Sequence, residues 1–205
     1  MALRDTVIVF ARAPRLGTVK RRLAREVGDR AALRFYNANL NRLLHVLARD
    51  RRFRTVLAYT PDRATACWPV SVPRIAQGHG DLGQRMARAC ARYRRVAIVG
   101  TDIPELAADD VAAAFRALGQ AQAAFGPAAD GGYWLVALSP RRPAHPFAGV
   151  RWSTEHALSD TLANFQRHRI ALLRTLRDID TAADLTAAAR TAAPAAAALV
   201  RTGAG

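Results

Sequence analysis

Three carboxylates and one ammonium are the groups in this chain whose placement suggests chemistry. Asp102 ends the run Arg95-Val-Ala-Ile-Val-Gly-Thr-Asp102, which is apolar and then abruptly polar. Asp178 and Asp180 flank Ile179, and at that spacing both carboxylates project from one side of an extended chain. One of them meeting Asp102 makes a hard-oxygen site suited to Mg²⁺ or Mn²⁺. Such an ion bridges phosphate oxygens and neutralises charge developing at phosphorus. Aspartate is also common in turns and helix caps. For Asp184, four residues further on, capping is the preferred reading.

Lys20 is the single lysine among 31 lysine and arginine residues. It falls in Gly17-Thr-Val-Lys-Arg-Arg22, just after the apolar run Val7–Ala11 and the breaker Pro14. A strand, a Gly/Pro turn and a basic helix start are how α/β proteins build a phosphate site. Gly17 lets the backbone come close to a ligand, and Thr18 is placed to cap the next helix. Lysine is a compact point charge able to follow a moving phosphate, whereas arginine is a planar fork. The competing reading is a solvated charge, and the position within the turn favours the functional one.

Gly126-Pro-Ala-Ala-Asp-Gly-Gly-Tyr133 is a further special turn. Gly131-Gly132 implies positive φ and close backbone approach, while Asp-Gly also reads as a plain hairpin. Of Tyr133 and Trp134, one is expected to face a site and the other the core. His79, in Gly-His-Gly, reads as an exposed loop residue. No Ser-His-Asp arrangement or Gly-x-Ser-x-Gly is identifiable, and Gly78-x-Gly80 lacks the rest of a dinucleotide fingerprint. Cys67 and Cys90 form no Cys-x-x-Cys, which points away from zinc or a redox pair.

The net charge of +15 suggests either polyanion binding or an arginine bias combined with an anionic small substrate. The arginines are scattered and no nucleic-acid motif accompanies them, so the second reading is preferred and no specific nucleic acid is expected. No stretch approaches a membrane span, and the chain reads as cytoplasmic with no membrane partner. The oligomeric state stays open, a homodimer included.

The elements that must position these groups alternate. Strands are expected over 5–11, 54–60, 95–102, 123–127, 133–138 and 170–176, with a short edge near 74–78. Helices are expected over 18–27, 29–49, 84–93, 107–119, from 153 or 154 to 168, and 181–191. Within 29–49, Leu33, Tyr36, Leu40, Leu43, Leu44 and Leu47 recur at three and four, the mark of one buried face. This pattern predicts an α/β fold, a three-layer α/β/α sandwich with a mostly parallel central sheet, over a single domain of 1–191 with an Ala-rich tail at 192–205. Ligands in such sheets bind beyond the carboxyl ends of the strands. Asp102, Asp130, Asp180 and the loop 12–20 all fall at or near such ends.

Six ordered blocks carry a resemblance. They are Phe10-Ala-Arg-Ala-Pro with Gly17–Leu23, Gly80–Met86, Gly100–Leu106, Gly126–Tyr133, Val150–Thr154 and Asp178–Thr181. Together they resemble a bacterial family of GT-A-like transferases, over about residues 6–186. That family is similar to the phospholactate guanylyltransferase CofC and, more remotely, to the molybdopterin guanylyltransferase MobA. The resemblance implies a nucleotide-diphospho-sugar transferase fold. It implies a nucleoside triphosphate or nucleotide sugar as partner, a small anionic acceptor, and Mg²⁺ or Mn²⁺ as cofactor. By motif match, Lys20 would contact the nucleotide phosphates, with Arg12, Gly17 and Arg22 nearby. Asp102 would be the principal metal ligand and Asp180 the second. Asp81, Asp130 and Gly131 would shape the acceptor or phosphate pocket. The family usually has Lys where this chain has Arg12, and Thr where it has Arg21. The implied activity is nucleotidyl transfer from a nucleoside triphosphate to a small phosphorylated acceptor. Glycosyl transfer from a nucleotide sugar is the alternative, and a non-catalytic basic binding module is the reading of another class.

Overall fold

The computed structural model describes residues 5–66, 68 and 70–191. Cys67 and the Ala-rich stretch 192–205 lie outside the described residues. Seven strands, β1 (Thr6–Arg12), β2 (Arg54–Thr60), β3 (Arg74–Ala76), β4 (Val96–Val99), β5 (Ala123–Pro127), β6 (Tyr133–Leu138) and β7 (Ile170–Leu172), form one sheet in the order β3-β2-β1-β4-β6-β5-β7. The pairs β3·β2, β2·β1, β1·β4 and β5·β7 are parallel, and β6 runs antiparallel to both β4 and β5.

The continuous apolar runs are read correctly as strands buried on both faces. Successive residues of β1 show why. Val7 and Val9 pack with Tyr36, Leu40, Leu43 and Phe115 on one side of the sheet, and Ile8 packs with Met86, Phe125 and Phe165 on the other. The first face is covered by α2 (Asp29–Arg49) and α4 (Ala108–Ala117), the second by α3 (Leu82–Cys90) and α5 (Ala157–Ala163). A third cluster of Leu23, Ala32, Phe35, Ile179 and Leu185 fastens α1 (Arg21–Val27) and α6 (Ala182–Thr191) onto α2. This is the expected three-layer sandwich.

Three local expectations need correction. The first short helix begins at Arg21 rather than residue 18, because Lys20 sits in the left-handed region at φ 48° and ψ 47°. Thr18 caps nothing; its hydroxyl donates to the Arg15 carbonyl at 2.9 Å. The helix expected from residue 153 or 154 is the shorter α5, since Val150–His156 forms a loop with Ser153 at φ 62°. Asp184 does cap α6. It accepts from the backbone and hydroxyl of Thr181 at 2.9 and 2.7 Å, and Thr181 Oγ1 accepts from the Asp184 N–H at 3.2 Å.

Candidate functional site

The carboxyl ends of β1 and β4 open into two adjoining cavities, and helix α2 fixes the loops between them. The Tyr36 hydroxyl accepts from the Arg12 N–H at 2.9 Å and donates to the Arg12 carbonyl at 2.8 Å, which pins the end of β1. Burial pushes this phenol up to about 12. Asn39, fully buried, donates to the Thr101 carbonyl at 2.6 Å. Arg42 donates to the Leu106 carbonyl at 3.1 and 3.2 Å. Asn39 and Arg42 thus hold the turn that presents Asp102, and Tyr36 holds the end of β1 beside it. Sequence reasoning assigns Tyr36 to the core and misses Asn39 and Arg42. A polar residue among the apolar positions of a buried stripe is the available signal, because a buried amide needs a partner.

Lys20 reaches into this corner. Its ammonium donates to Asp180 Oδ1 at 2.9 Å and to the Ile179 carbonyl at 2.7 Å, and lies 2.9 Å from Asp102 Oδ1. The three contacts match the three protons of an ammonium. The lysine side chain is 5% exposed, against 50% for Asp102 and 34% for Asp180. Burial alone would pull the ammonium down, but the two carboxylates outweigh it and the net direction is up. The backbone adds one more tie, from the Ile179 N–H to the Asp102 carbonyl at 3.1 Å. Lys20, Asp102 and Asp180, separated by tens of residues in sequence, therefore meet at one rim of the sheet.

The smaller cavity, of about 440 Å³, lies on the β1 side of this triad and takes in Arg12, Lys20, Arg21, Arg22, Tyr36 and Gln77. Arg12, Arg21 and Arg22 are exposed there, and Arg22 also lies 3.7 Å from Asp180 Oδ2. Gln77 is buried and donates to the carbonyls of Ala11 and Ala58 at 3.3 and 3.0 Å, tying β1 to β2 at the cavity wall. The larger cavity, of about 1000 Å³, lies on the β6 side. Its apolar wall includes Phe10, Leu82, Met86, Tyr133 and Trp152, and its acidic side Asp130, Glu155 and Asp178. Burial, then the charges of Asp130 and Asp180, raise Asp178 above the usual carboxylate range. Both cavities share Phe10, Arg22, Leu82, Thr101, Asp102 and Asp180, so the carboxylate pair stands on their common border.

Not every expected residue joins them. Asp81 caps α3, accepting from the Gln84 N–H at 2.8 Å while Gln84 Oε1 accepts from the Asp81 N–H at 3.2 Å, and it lines neither cavity. Gly17 has φ +73° but serves the turn itself and lines neither cavity. Gly131, at φ +85°, does mark a close approach, to the chain's own backbone: a Cβ there would lie 2.2 Å from the Glu155 carbonyl oxygen. Asp130 lines the larger cavity and accepts from the Gly132 N–H at 2.9 Å, the hairpin geometry that Asp-Gly also allowed. Tyr133 and Trp134 both reach the larger cavity, from opposite faces of the sheet. His79 is exposed, as expected.

The donor set suits a hard divalent ion. Among the described residues no group of three or more His, Cys, Asp or Glu could enclose a metal. Two partly exposed carboxylates are nonetheless what Mg²⁺ commonly uses when substrate phosphates and water complete its shell. The oxygens that Lys20 leaves free, Asp102 Oδ2 and Asp180 Oδ2, are the ones that would hold it.

This strand order and border site define a nucleotide-diphospho-sugar transferase fold. A protein of Desulfovibrio desulfuricans G20, provisionally assigned as a nucleotide-diphospho-sugar transferase, is 29% identical with a TM-score of 0.88, over 97% of each chain. The 2-C-methyl-D-erythritol 4-phosphate cytidylyltransferase of Thermus thermophilus shares the fold at 15% identity and a TM-score of 0.55, over 97% of this chain and 99% of the other. Rv0371c of Mycobacterium tuberculosis H37Rv, solved in complex with manganese, does so at 18% identity and 0.52, over 92% and 100%. Residues 43–154 match a family described as uncharacterized protein conserved in bacteria, DUF2064, and the chain belongs to that family. No curated protein matches the chain. Among the described residues no helix is long and apolar enough to cross a membrane.

Proposed function

We propose that the protein is a nucleotidyltransferase. The observation that carries this reading is the border position of Asp102 and Asp180 between a cationic cavity and a larger one. The smaller cavity takes the triphosphate of a nucleoside triphosphate against Arg12, Arg21 and Arg22. The larger cavity takes the acceptor. An acceptor oxygen bonds to the α-phosphorus, the bond from that phosphorus to the β-bridging oxygen breaks, and pyrophosphate leaves. Mg²⁺ or Mn²⁺ held by Asp102 and Asp180 would supply charge neutralisation at phosphorus. No protein nucleophile is needed, so the protein contributes positioning and electrostatics.

Lys20 takes a different part from the phosphate clamp implied by family resemblance. Its three donors are already engaged, so it acts as a positioning residue that holds the two carboxylates together. Phosphate contact then falls to the exposed arginines. Glycosyl transfer from a nucleotide sugar would use the same border. Product analysis separates the two: pyrophosphate from a triphosphate plus acceptor supports the first, and nucleoside diphosphate from a nucleotide sugar the second. Thermal shifts with a panel of nucleotides, with and without Mg²⁺ or Mn²⁺, identify the donor, because a ligand that binds the native state alone raises its stability. A panel without any shift would refute both.

A further inference from the structure

The larger cavity has the wrong charge for a phosphorylated acceptor. The chain carries +15, yet five carboxylates line this cavity, Asp102, Asp130, Glu155, Asp178 and Asp180, and Arg22 is the lone lysine or arginine among its lining residues. Arg22 stands on the border and lies 3.7 Å from Asp180. Lys20 and Arg22 already offset the border pair, so a divalent ion there would still leave the carboxylates of Asp130, Glu155 and Asp178 in excess, with His156 Nε2 3.7 Å from Glu155. An acidic recess in so basic a chain repels an anion and attracts a cation.

The rest of the lining is largely apolar and aromatic. Trp152 lies edge-on to Tyr133 with centroids 6.3 Å apart and packs against Phe147 at 6.4 Å. Tyr133 is backed by Phe125 at 5.6 Å. Leu82 and Met86 close the wall from α3. The loop carrying Trp152 is fastened by the ion pair of Arg151 with Asp160, at 2.8 Å, and by the Leu158 N–H donating to the Gly131 carbonyl at 3.0 Å. A wall of fixed rings takes up the flat apolar body of a ligand, and a few polar groups set its orientation.

We propose that the acceptor is a phosphate-free alcohol with an apolar, ring-sized body, bearing an amine where it is charged at all. This rests on the transferase reading, since it takes the larger cavity to be the acceptor side. The body lies against Trp152, Tyr133 and Leu82. The hydroxyl points to the Asp102 border, and an amine finds Asp130 and Glu155. On transfer, the hydroxyl oxygen bonds to the α-phosphorus, its proton passes to water at the open mouth, and pyrophosphate leaves.

The test is calorimetric titration of the full chain with 4-(aminomethyl)benzyl alcohol, benzyl alcohol and benzyl phosphate, at about 0.15 M salt where long-range charge effects are screened. The expected order is amine, alcohol, phosphate, with benzyl phosphate at least about tenfold weaker than benzyl alcohol, equivalent to about 1.4 kcal/mol. Asp130→Asn with Glu155→Gln is expected to erase the advantage of the amine and keep benzyl alcohol binding. Trp152→Ala is expected to weaken both ring alcohols while the nucleotide thermal shift persists. Benzyl phosphate binding as well as benzyl alcohol, or none of the three binding, overturns the proposal. A missing nucleotide shift in the same samples strikes the transferase reading instead, whatever the order of the ring compounds.

Discussion

The two cavities share a border and little else. The smaller one is framed by the loop after β1, the start of α1, Tyr36 of α2 and the ends of β2 and β4, and its charge is cationic. The larger one is assembled from β6, α3, the Val150–His156 loop and the stretch before α6, and it is apolar and acidic. Each includes one non-glycine residue in the left-handed region, Lys20 at φ 48° and Ser153 at φ 62°, and among the described residues there are no others. Such conformations cost about 1–3 kcal/mol and persist where the surroundings over-determine them. At Lys20 the surroundings are two carboxylates and a carbonyl. At Ser153 they are a loop clamped at both ends. Under the proposed reading, the fixed carboxylate pair would separate a polyanion in the cationic cavity from a non-anionic partner in the other.

The comparison is broken most forcefully at its border. Asp102→Asn is expected to reduce pyrophosphate release by about 10²–10³-fold while the fold survives, since removing one electrostatic element of a transfer site costs about that much. A variant retaining full activity would remove the border from the chemistry. Lys20→Met follows. Removing one partner of a buried pair costs about 3–5 kcal/mol, and the half-exposed Asp102 brings this to about 2–3 kcal/mol, read by urea denaturation. The lysine pKa is raised by folding, so its contribution is complete below about pH 10.5 and is lost as pH climbs through the higher folded value. The gap between wild type and Lys20→Met should therefore hold constant from pH 7 to about 10 and close only beyond. Lys20→Arg should not rescue it, because a planar fork cannot place its donors as the ammonium does.

Two glycines sharpen the contrast between the sides. Gly131→Ala drives a methyl onto the Glu155 carbonyl oxygen, 2.2 Å away, and should cost about 2 kcal/mol or more while weakening ring-alcohol binding. Gly17→Ala meets nothing nearer than 3.7 Å and should cost only the left-handed backbone term, about 1–2 kcal/mol. Asp81→Ala is expected to remove one helix cap, about 1 kcal/mol, and leave nucleotide shifts unchanged. The smallest effect concerns Cys90. Burial pushes its thiol up to about 12, so mass-spectrometric mapping should find it unalkylated by iodoacetamide at pH 8 until the chain is unfolded.

Much of the frame was legible because its signals are local. Val7–Ala11 and Val96–Val99 are apolar without interruption, and strands buried on both faces read that way. Asp102 stands where such a run gives way to polar residues, which suffices to place it at a rim, whereas Asp180 follows the mixed stretch Arg174–Ile179 and is carried by the motif match. What Lys20 binds was not legible, since its partners lie 82 and 160 residues away and only the folded sheet brings them within 2.9 Å. The aromatic wall was hidden for the same reason: Leu82, Tyr133 and Trp152 belong to three distant segments. Asp81 misled because an aspartate before a helix looks alike whether it caps the helix or faces a ligand, and Gln84 three residues on was the sign of the cap.

Asp180 reaches the site from a segment that crosses the sheet edge late in the chain, through the Ile179–Asp102 backbone tie. During synthesis, Lys20 and Asp102 are translated well before it. At about 5–20 residues per second, roughly 4–16 s separate the emergence of Asp102 from that of Asp180. Through that interval a nascent polypeptide holds only one of the two carboxylates of the proposed ion seat. Under the proposed reading, the seat is complete only once the segment that leads into α6 has been made.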